Sequence, residues 1–453
     1  MANQLWPWLS LTLVFTPVCA QERFPAELAG HAYLPAATFI NAPADAPALF
    51  HTSGKFAGPG NTRNDKLYSV EGSSFLSAPD VPRTTGLRLP FVGQPVQGFS
   101  GIKHMENGEY MVLVDNGFGS KANSVDAMLQ FHRLRPNWET GQVEMLASHF
   151  LSDPHGLLPF PITTEGTATR YLTGADFDLE GMQPVGEQIW FGDEFGPYVF
   201  ATDLEGRVVA FFDTTVDGDV VRSPDNHGLR MPSTPGEVSF AVRRSRGFEG
   251  MAAAVDGSAL YPLFEGPLWD AEQGDWENQD SRQYLRIIEF DIASQQFTDR
   301  QWKYLLEENG HNIGDFNMID AERGLIIERD GGEGDAALAC EGEAQPDCFN
   351  NPAGFKRVYL VDFSQADADG FVKKVGYVDL LAIDDPQGIA RVGGGEGRFS
   401  FPFVTIEDVD RVDDEHIVVA NDNNLPFSSG RTIGQNDHNE FILLRVPELL
   451  SAR

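Results

Sequence analysis

The chain has 453 residues, 42% of them hydrophobic, enough for a large core and too many for global disorder. Its formal net charge of −34, from 67 acids against 33 bases, makes nucleic acid and anionic membrane surfaces poor partners. The excess of acids suits divalent cations, although solubility alone accounts for it as well.

Residues 1–20 read as a cleavable secretory leader. Leu5 to Val18 is mostly apolar, and Val18-Cys19-Ala20 places small residues ahead of Gln21, so cleavage is expected after Ala20. Pro7, Pro17 and the short length of the stretch oppose a spanning helix. Thr16-Pro17-Val18 is a poor match upstream of a lipidated Cys19. No later stretch has the length and apolarity of a membrane span. The mature chain, 21–453, is expected to be one domain, periplasmic or secreted, and monomeric. Cys340 and Cys348 then form an even pair in an exported chain, which predicts one disulfide closing a polar loop.

Residues 21–98 are rich in Pro, Ala and Gly, with strands expected at His31–Ile40 and Leu67–Leu76. From Phe99 to Phe150 four alternating runs follow one another. The same order returns over Asp178–Thr214, Phe248–Tyr304 and Phe316–Leu381, and a last module, Val404–Val446, has three clear strands. Repeated four-strand units with little helical periodicity predict an all-β fold, a β-propeller. The strand near His31–Ile40 is expected to complete the last module. Five blades are countable, and 41–98 is expected to supply a sixth; a sandwich of irregular hairpins is the alternative.

Each repeat carries two marked residues, 13 to 16 positions apart: Ser100 and Asp115, Glu180 and Glu194, Glu249 and Glu265, Asp315 and Glu328, Glu407 and Asp422. Two antiparallel strands and a short turn return to their starting level over such a distance, so both marks of a repeat belong at one end of its hairpin. Around a common axis the marks form an acidic ring. Asp115, Glu180, Glu194, Glu249, Glu265, Asp315, Glu328, Glu407 and Asp422 are the candidate metal ligands, with Asp193, Asp330, Asp408 and Asn424 within reach. Clustered carboxylates repel one another unless neutralised, and hard cations such as Ca²⁺ take six to eight oxygens. For any single acid, holding a turn by accepting amide hydrogen bonds is an equal alternative.

Bases interleave with the acids. Arg246 and Arg329 are candidates to orient an anionic substrate, with Lys121 and Arg431 close to the motifs; charge balance is the simpler reading of each base alone. His155 and His311 lie in loops leading to blades and read more readily as surface histidines than as catalytic ones. No Gly-x-Ser-x-Gly elbow, Walker loop or dinucleotide fingerprint occurs.

The phrases Leu-Glu180-Gly-Met, Ser-Arg246-Gly-Phe-Glu249-Gly-Met-Ala, Ile-Glu328-Arg-Asp330 and Ala-Asn-Asp422-Asn-Asn424 resemble the phytase-like family, "esterase-like activity of phytase", from about Phe99 to Val446. The resemblance implies a bacterial exported β-propeller that hydrolyses phosphoesters. The residues and the resemblance together lead to the expectation of a Ca²⁺-dependent hydrolase of phosphate esters, acting on a small anionic substrate. The alternatives are a calcium-dependent lactonase or carboxylic esterase, for which Phe177, Phe195, Tyr198, Phe248 and Phe427 lie near the motifs, and a binding propeller with structural metal.

Overall fold

The computed structural model describes residues 21–54, 63, 65–74, 79–234 and 238–453; the expected leader, 1–20, lies outside them. Strands dominate, and the one α-helix among the described residues is Pro447–Ser451. Among the described residues no helix is long and apolar enough to cross a membrane.

Among the described residues five antiparallel units repeat along the chain. Sheet one runs Phe99–His104, Tyr110–Val114, Gln130–Asn137, Gln142–Phe150. Sheet two runs Leu179–Val185, Gln188–Asp193, Tyr198–Asp203, Val208–Asp213. Sheet three runs Phe248–Ala253, Ala259–Phe264, Arg282–Asp291, Gln296–Leu305. Sheet four runs Asn312–Met318, Arg323–Arg329, Lys356–Asp362, Lys373–Asp379. Sheet five has Asp408–Arg411, His416–Ala420 and Asn439–Arg445 from the C-terminal end. Its fourth strand is Glu27–Leu34, antiparallel to Asn439–Arg445 with Leu28 opposite Leu444 and Tyr33 opposite Glu440.

Side-chain alternation explains why these strands read as almost continuous apolar runs. In sheet four, Leu325 and Ile327 face a core shared with sheet five, whereas Ile326 faces a core shared with sheet three. Val358 and Leu360 against Tyr359 and Val361 repeat the pattern on the next strand. A sheet buried on both faces needs apolar residues at odd and even positions alike. Each such side chain contributes on the order of 1.5–3 kcal/mol through burial. Similar cores join sheets one and two, two and three, and also five and one, where Phe99, Val112 and Leu134 meet Val418 and Phe441.

The first strands touch one another in cyclic order, one to two, two to three, three to four, four to five and five to one. Close approach there is made possible by glycine. A Cβ on Gly250 would stand 2.8 Å from the backbone nitrogen of Phe316, and one on Gly181 2.8 Å from Met251.

The stretch 41–98, expected to supply a sixth blade, departs from the repeat. Its described residues join short strands in two-stranded pairs, Thr52–Ser53 with Phe91–Val92 and Val70–Ser74 with Arg83–Leu89, and no four-stranded sheet forms among them. The expected strand Leu67–Leu76 is seen as Val70–Ser74. Cys340 and Cys348 are bonded to each other.

Candidate acidic metal centre

The geometry of the site starts from a β-bulge. In sheet two Leu179 pairs with Asp193 and Gly181 with Gly192, so Glu180 is an extra residue on its strand. Sheet three repeats this at Glu249, between Phe248 opposite Phe264 and Gly250 opposite Leu263. Sheets one and four shift register at Ser100-Gly101 and at Gly314-Asp315. A bulge re-aims the side chain that it carries.

Apolar residues on either side fix the phase. Leu179 and Met182 enter one core, as do Phe248 and Met251, Ile313 and Phe316, Phe99 and Ile102, and Ile406 and Val409. The residues that follow the first apolar anchor are therefore equivalent: Ser100, Glu180, Glu249, Gly314 and Glu407. Among the second strands the equivalent set is Asp115, Glu194, Glu265, Arg329 and Asp422. The amides of Asp115, Glu194 and Glu265 donate to the carbonyls of Gly98, Asp178 and Gly247. Arg329 pairs with Asn312 in the same way.

Seven of the nine acids expected at the ring thus occupy equivalent places, and two do not. Asp315 lies one residue beyond its counterparts, at the position of Gly181, Gly250 and Asp408. It accepts from the amides of Val409 (3.1 Å) and Phe316 (2.7 Å) and from Asn317 Nδ2 (3.0 Å), so it bridges sheets four and five. Burial raises its pKa to about 7. Asp408 acts alike, accepting from the amide of Gly101 at 3.0 Å. Glu328 lies one residue short and turns to the opposite face. There it meets Lys374 Nζ (2.8 Å), His311 Nδ1 (2.9 Å), Tyr304 Oη (2.8 Å) and the amide of Glu307 (2.7 Å). Burial opposes ionisation, yet Lys374 and these donors hold its pKa down to about 2.

The ring acids are tightly grouped. One carboxylate oxygen from each of Glu180, Glu249 and Glu407 lies within 4.8 Å of the others, and the same holds for Glu194, Glu249 and Glu265. Glu249 belongs to both groups. It is 5% exposed, and its Oε1 receives no hydrogen bond among the described residues. Burial raises the pKa of Glu180, Glu194 and Glu249 well above the carboxylate range, and the neighbouring carboxylates raise it further. Asp115 and Asp422 respond in the same way, each burdened by other acids of the ring.

Two guanidiniums offset part of this charge. Arg329 Nη2 lies 2.6 Å from Glu407 Oε1, and Arg246 Nη1 is hydrogen-bonded to Glu265 Oε2. Ser100 Oγ donates to Glu407 Oε2 at 3.1 Å. A buried oxygen without a donor, in a set made wholly of carboxylates, fits a hard divalent cation.

One buried acid of this neighbourhood escapes the repeat spacing. Asp178 accepts from Asn116 Nδ2 at 2.7 Å and lies beside Glu180 and Glu194. It occupies the place of Gly98, Gly247 and Asn312, and its position next to Leu-Glu180 was the available signal.

The outlying candidates are structural in their contacts. Asp193 accepts from the amides of Asp178 and Gly196 and shapes a turn. Asp330 pairs with Lys356 at 3.0 Å. Asn424 donates to Thr405 Oγ1. Lys121 Nζ donates to the carbonyl of Asp225 at 2.6 Å, and Arg431 is paired with Glu440 at 2.7 Å. His155 is exposed. Phe177, Phe195, Tyr198 and Phe248 are buried, and Phe427 is half-buried.

Behind the acids, the channel between the first strands is filled by polar side chains. Gln183 Nε2 and Lys103 Nζ both donate to Asn317 Oδ1 at 2.8 Å, and Lys103 also reaches Asp410 at 3.1 Å.

Comparison with known proteins gives a family match over most of the chain. The family described as "Phytase-like: Esterase-like activity of phytase" matches residues 94–425. An uncharacterized secreted protein of Arthroderma benhamiae is 26% identical over 125 residues, 23% of this chain and 22% of that protein, so the chain spans about a fifth of its length. Three solved structures align at low similarity. The periplasmic gluconolactonase of Pseudomonas aeruginosa is 10% identical with a TM-score of 0.32, covering 83% of this chain and 99% of that one. A luciferin-regenerating enzyme is 9% identical with a TM-score of 0.33, covering 86% and 94%. U3-55K is 9% identical with a TM-score of 0.32, covering 77% and 95%.

Proposed function

Since the chain belongs to the phytase-like family, we propose that it is an exported, metal-binding hydrolase of phosphate esters, built as a single closed ring of five blades over residues 21–453. The cyclic contact of the first strands, with a shared core between sheets five and one, supports five blades rather than six. A disulfide accords with an oxidising compartment, and hence with a leader cleaved after Ala20 and a periplasmic or secreted monomer.

The observation that carries the reading is Glu249, shared by two groups of buried carboxylates and left with an oxygen that accepts no hydrogen bond among the described residues. Glu180, Glu194, Glu249, Glu265 and Glu407 are the proposed metal ligands, and Ca²⁺ is the proposed ion because every donor is a carboxylate oxygen. A divalent ion held by these residues would supply charge to neutralise phosphoryl oxygens and to make water more acidic. Arg246, with 38% of its side chain exposed beside Glu265, is placed to orient an anionic substrate. Arg329, 4% exposed and paired with Glu407, acts instead as a fixed counterion. Asp115 and Asp422 lie outside both carboxylate groups and remain to accept the proton of an attacking water.

The lactonase or carboxylic esterase alternative needs an apolar mouth, and the burial of Phe177, Phe195, Tyr198 and Phe248 lends it no support. The deciding experiment assays the purified chain on phosphate monoesters, carboxylic esters and lactones, with Ca²⁺ and with chelator. Phosphate release that disappears on chelation and returns with Ca²⁺ is expected. Turnover of lactones or carboxylic esters alone would select the alternative. Inertness towards every substrate, together with metal-dependent stability, would select a binding propeller.

A further inference from the structure

Two carboxylate groups meet at one residue. Glu180, Glu249 and Glu407 form the first group, and Glu194, Glu249 and Glu265 the second. Each group includes one member paired with an arginine, Glu407 with Arg329 and Glu265 with Arg246. We infer that the acidic end of the ring is a two-ion centre in which Glu249 bridges two divalent cations, one held with Glu180 and Glu407, the other with Glu194 and Glu265. The inference rests on the metal-binding reading above and adds the number of ions and the division of the ligands.

Three observations support it. Glu180 approaches Glu249 from the adjacent first strand of sheet two, Glu407 from sheet five across the channel, and Glu194 and Glu265 from the level of the second strands. Glu249 Oε1 is buried without a hydrogen bond, and the guanidinium of Arg329 stands 3.7 Å from it, beyond hydrogen-bonding distance.

Charge supplies the third argument. Five carboxylates and two guanidiniums carry a net negative charge that a single divalent ion leaves uncompensated and that two divalent ions just overcome. A carboxylate has two oxygens with lone pairs for two metals, whereas a bridging amide in its place would lack the charge.

Mn²⁺ serves as the probe, since it is a hard, oxygen-seeking ion with a paramagnetic signal. The full chain is stripped with chelator, dialysed against Mn²⁺, and assayed for bound metal by elemental analysis and for spin coupling by electron paramagnetic resonance. Two ions per chain with an exchange-coupled spectrum are expected for the unaltered protein. Glu180→Gln and Glu265→Gln are each expected to retain one ion with the spectrum of isolated Mn²⁺, and Glu249→Gln to lose tight binding of both. One ion per chain in the unaltered protein overturns the two-ion inference and leaves the metal-binding reading standing. Two ions that survive both single substitutions also overturn it, because the ions then lie elsewhere. No bound ion overturns both. The stoichiometry of the unaltered chain decides the matter even if a variant fails to fold.

Discussion

Arg329 Nη2 lies 2.6 Å from Glu407 Oε1, and it occupies the second-strand position that holds an acid in each of the other four sheets. The ring is thus an acidic repeat with one built-in cation. In the same sheet the first-strand position is Gly314, where a Cβ would stand 2.3 Å from the carbonyl oxygen of Ile406 and 3.0 Å from Glu407 Cα. Sheet four therefore gives up its own carboxylates to make room for, and to neutralise, Glu407.

Replacing Arg329 with Met removes the partner of a buried carboxylate. Loss of one member of a buried ion pair costs about 3–5 kcal/mol. Metal-free Arg329→Met is expected to melt well below the unaltered chain, with part of the loss recovered on adding Ca²⁺. An unchanged melting temperature without metal would show that Glu407 is protonated and needs no counterion.

Glu249→Gln has opposite effects with and without metal. It removes one of several mutually repelling charges, so the chelated variant is expected to be at least as stable as the chelated parent. The rise in melting temperature on adding Ca²⁺, which follows from binding to the folded state alone, is expected to shrink or vanish. Differential scanning calorimetry with and without chelator reads both. A metal-induced rise of full size in the variant contradicts the assignment.

Glu328→Gln tests the face on which that residue lies. Lys374, His311 and Tyr304 would lose a buried anionic acceptor, and leaving such donors unsatisfied costs about 1–3 kcal/mol. Metal stoichiometry is expected to stay unchanged, in contrast to Glu180→Gln. Loss of metal from Glu328→Gln at retained fold would return Glu328 to the ligand set.

The pH dependence of the metal-free chain follows from four buried acids away from the paired carboxylate groups. Burial raises Asp315 and Asp437 to about 7. A folded-state pKa above the ordinary 3.8 means that stability is full below that value and falls as pH rises through about 7. Despite burial, Glu328 and Glu440 are held down to about 2 by Lys374 and Arg431; their contribution is full above the ordinary 4.5 and is lost as pH falls through about 2. Melting temperature in chelator is expected to be highest at about pH 4 and to decline towards both about pH 7 and about pH 2. A steady rise from pH 5 to pH 8 would refute this.

The disulfide is expected to matter little globally. It closes a loop of 8 residues' separation, and the chain-entropy estimate for so short a loop is at most about 2–3 kcal/mol. Much of the segment it joins is exposed. Reduction is expected to lower the melting temperature by a few degrees and to speed proteolysis within 331–352, as followed by peptide mapping.

Most of this site was legible because hairpin length is a geometric quantity. Spacing alone brought Asp115, Glu180, Glu194, Glu249, Glu265, Glu407 and Asp422 to one end. It failed in sheet four, where Asp315 and Glu328 are 13 apart while the true equivalents, Gly314 and Arg329, are 15 apart. Acid identity drew both marks one residue off phase, and a shift of one residue along a strand turns a side chain to the other face. The apolar anchors, Ile313 and Phe316 set against Leu179 and Met182, carried the correct phase. The bulge was not legible, since it is a property of pairing between strands. Asp178 went unnoticed because no other sheet has an acid at its place.

The antiparallel seam between Glu27–Leu34 and Asn439–Arg445 bears on how the molecule is made. His31 and Glu440, hydrogen-bonded at 3.2 Å, stand 409 positions apart. Contacts of such sequence separation form late, because the intervening loop must close first. During synthesis the segment 27–34 waits, its edge unpaired, until the 409 positions that separate His31 from Glu440 have followed. Export before folding would spare the cell that delay, and a chaperone that shields this segment would find its task in the interval.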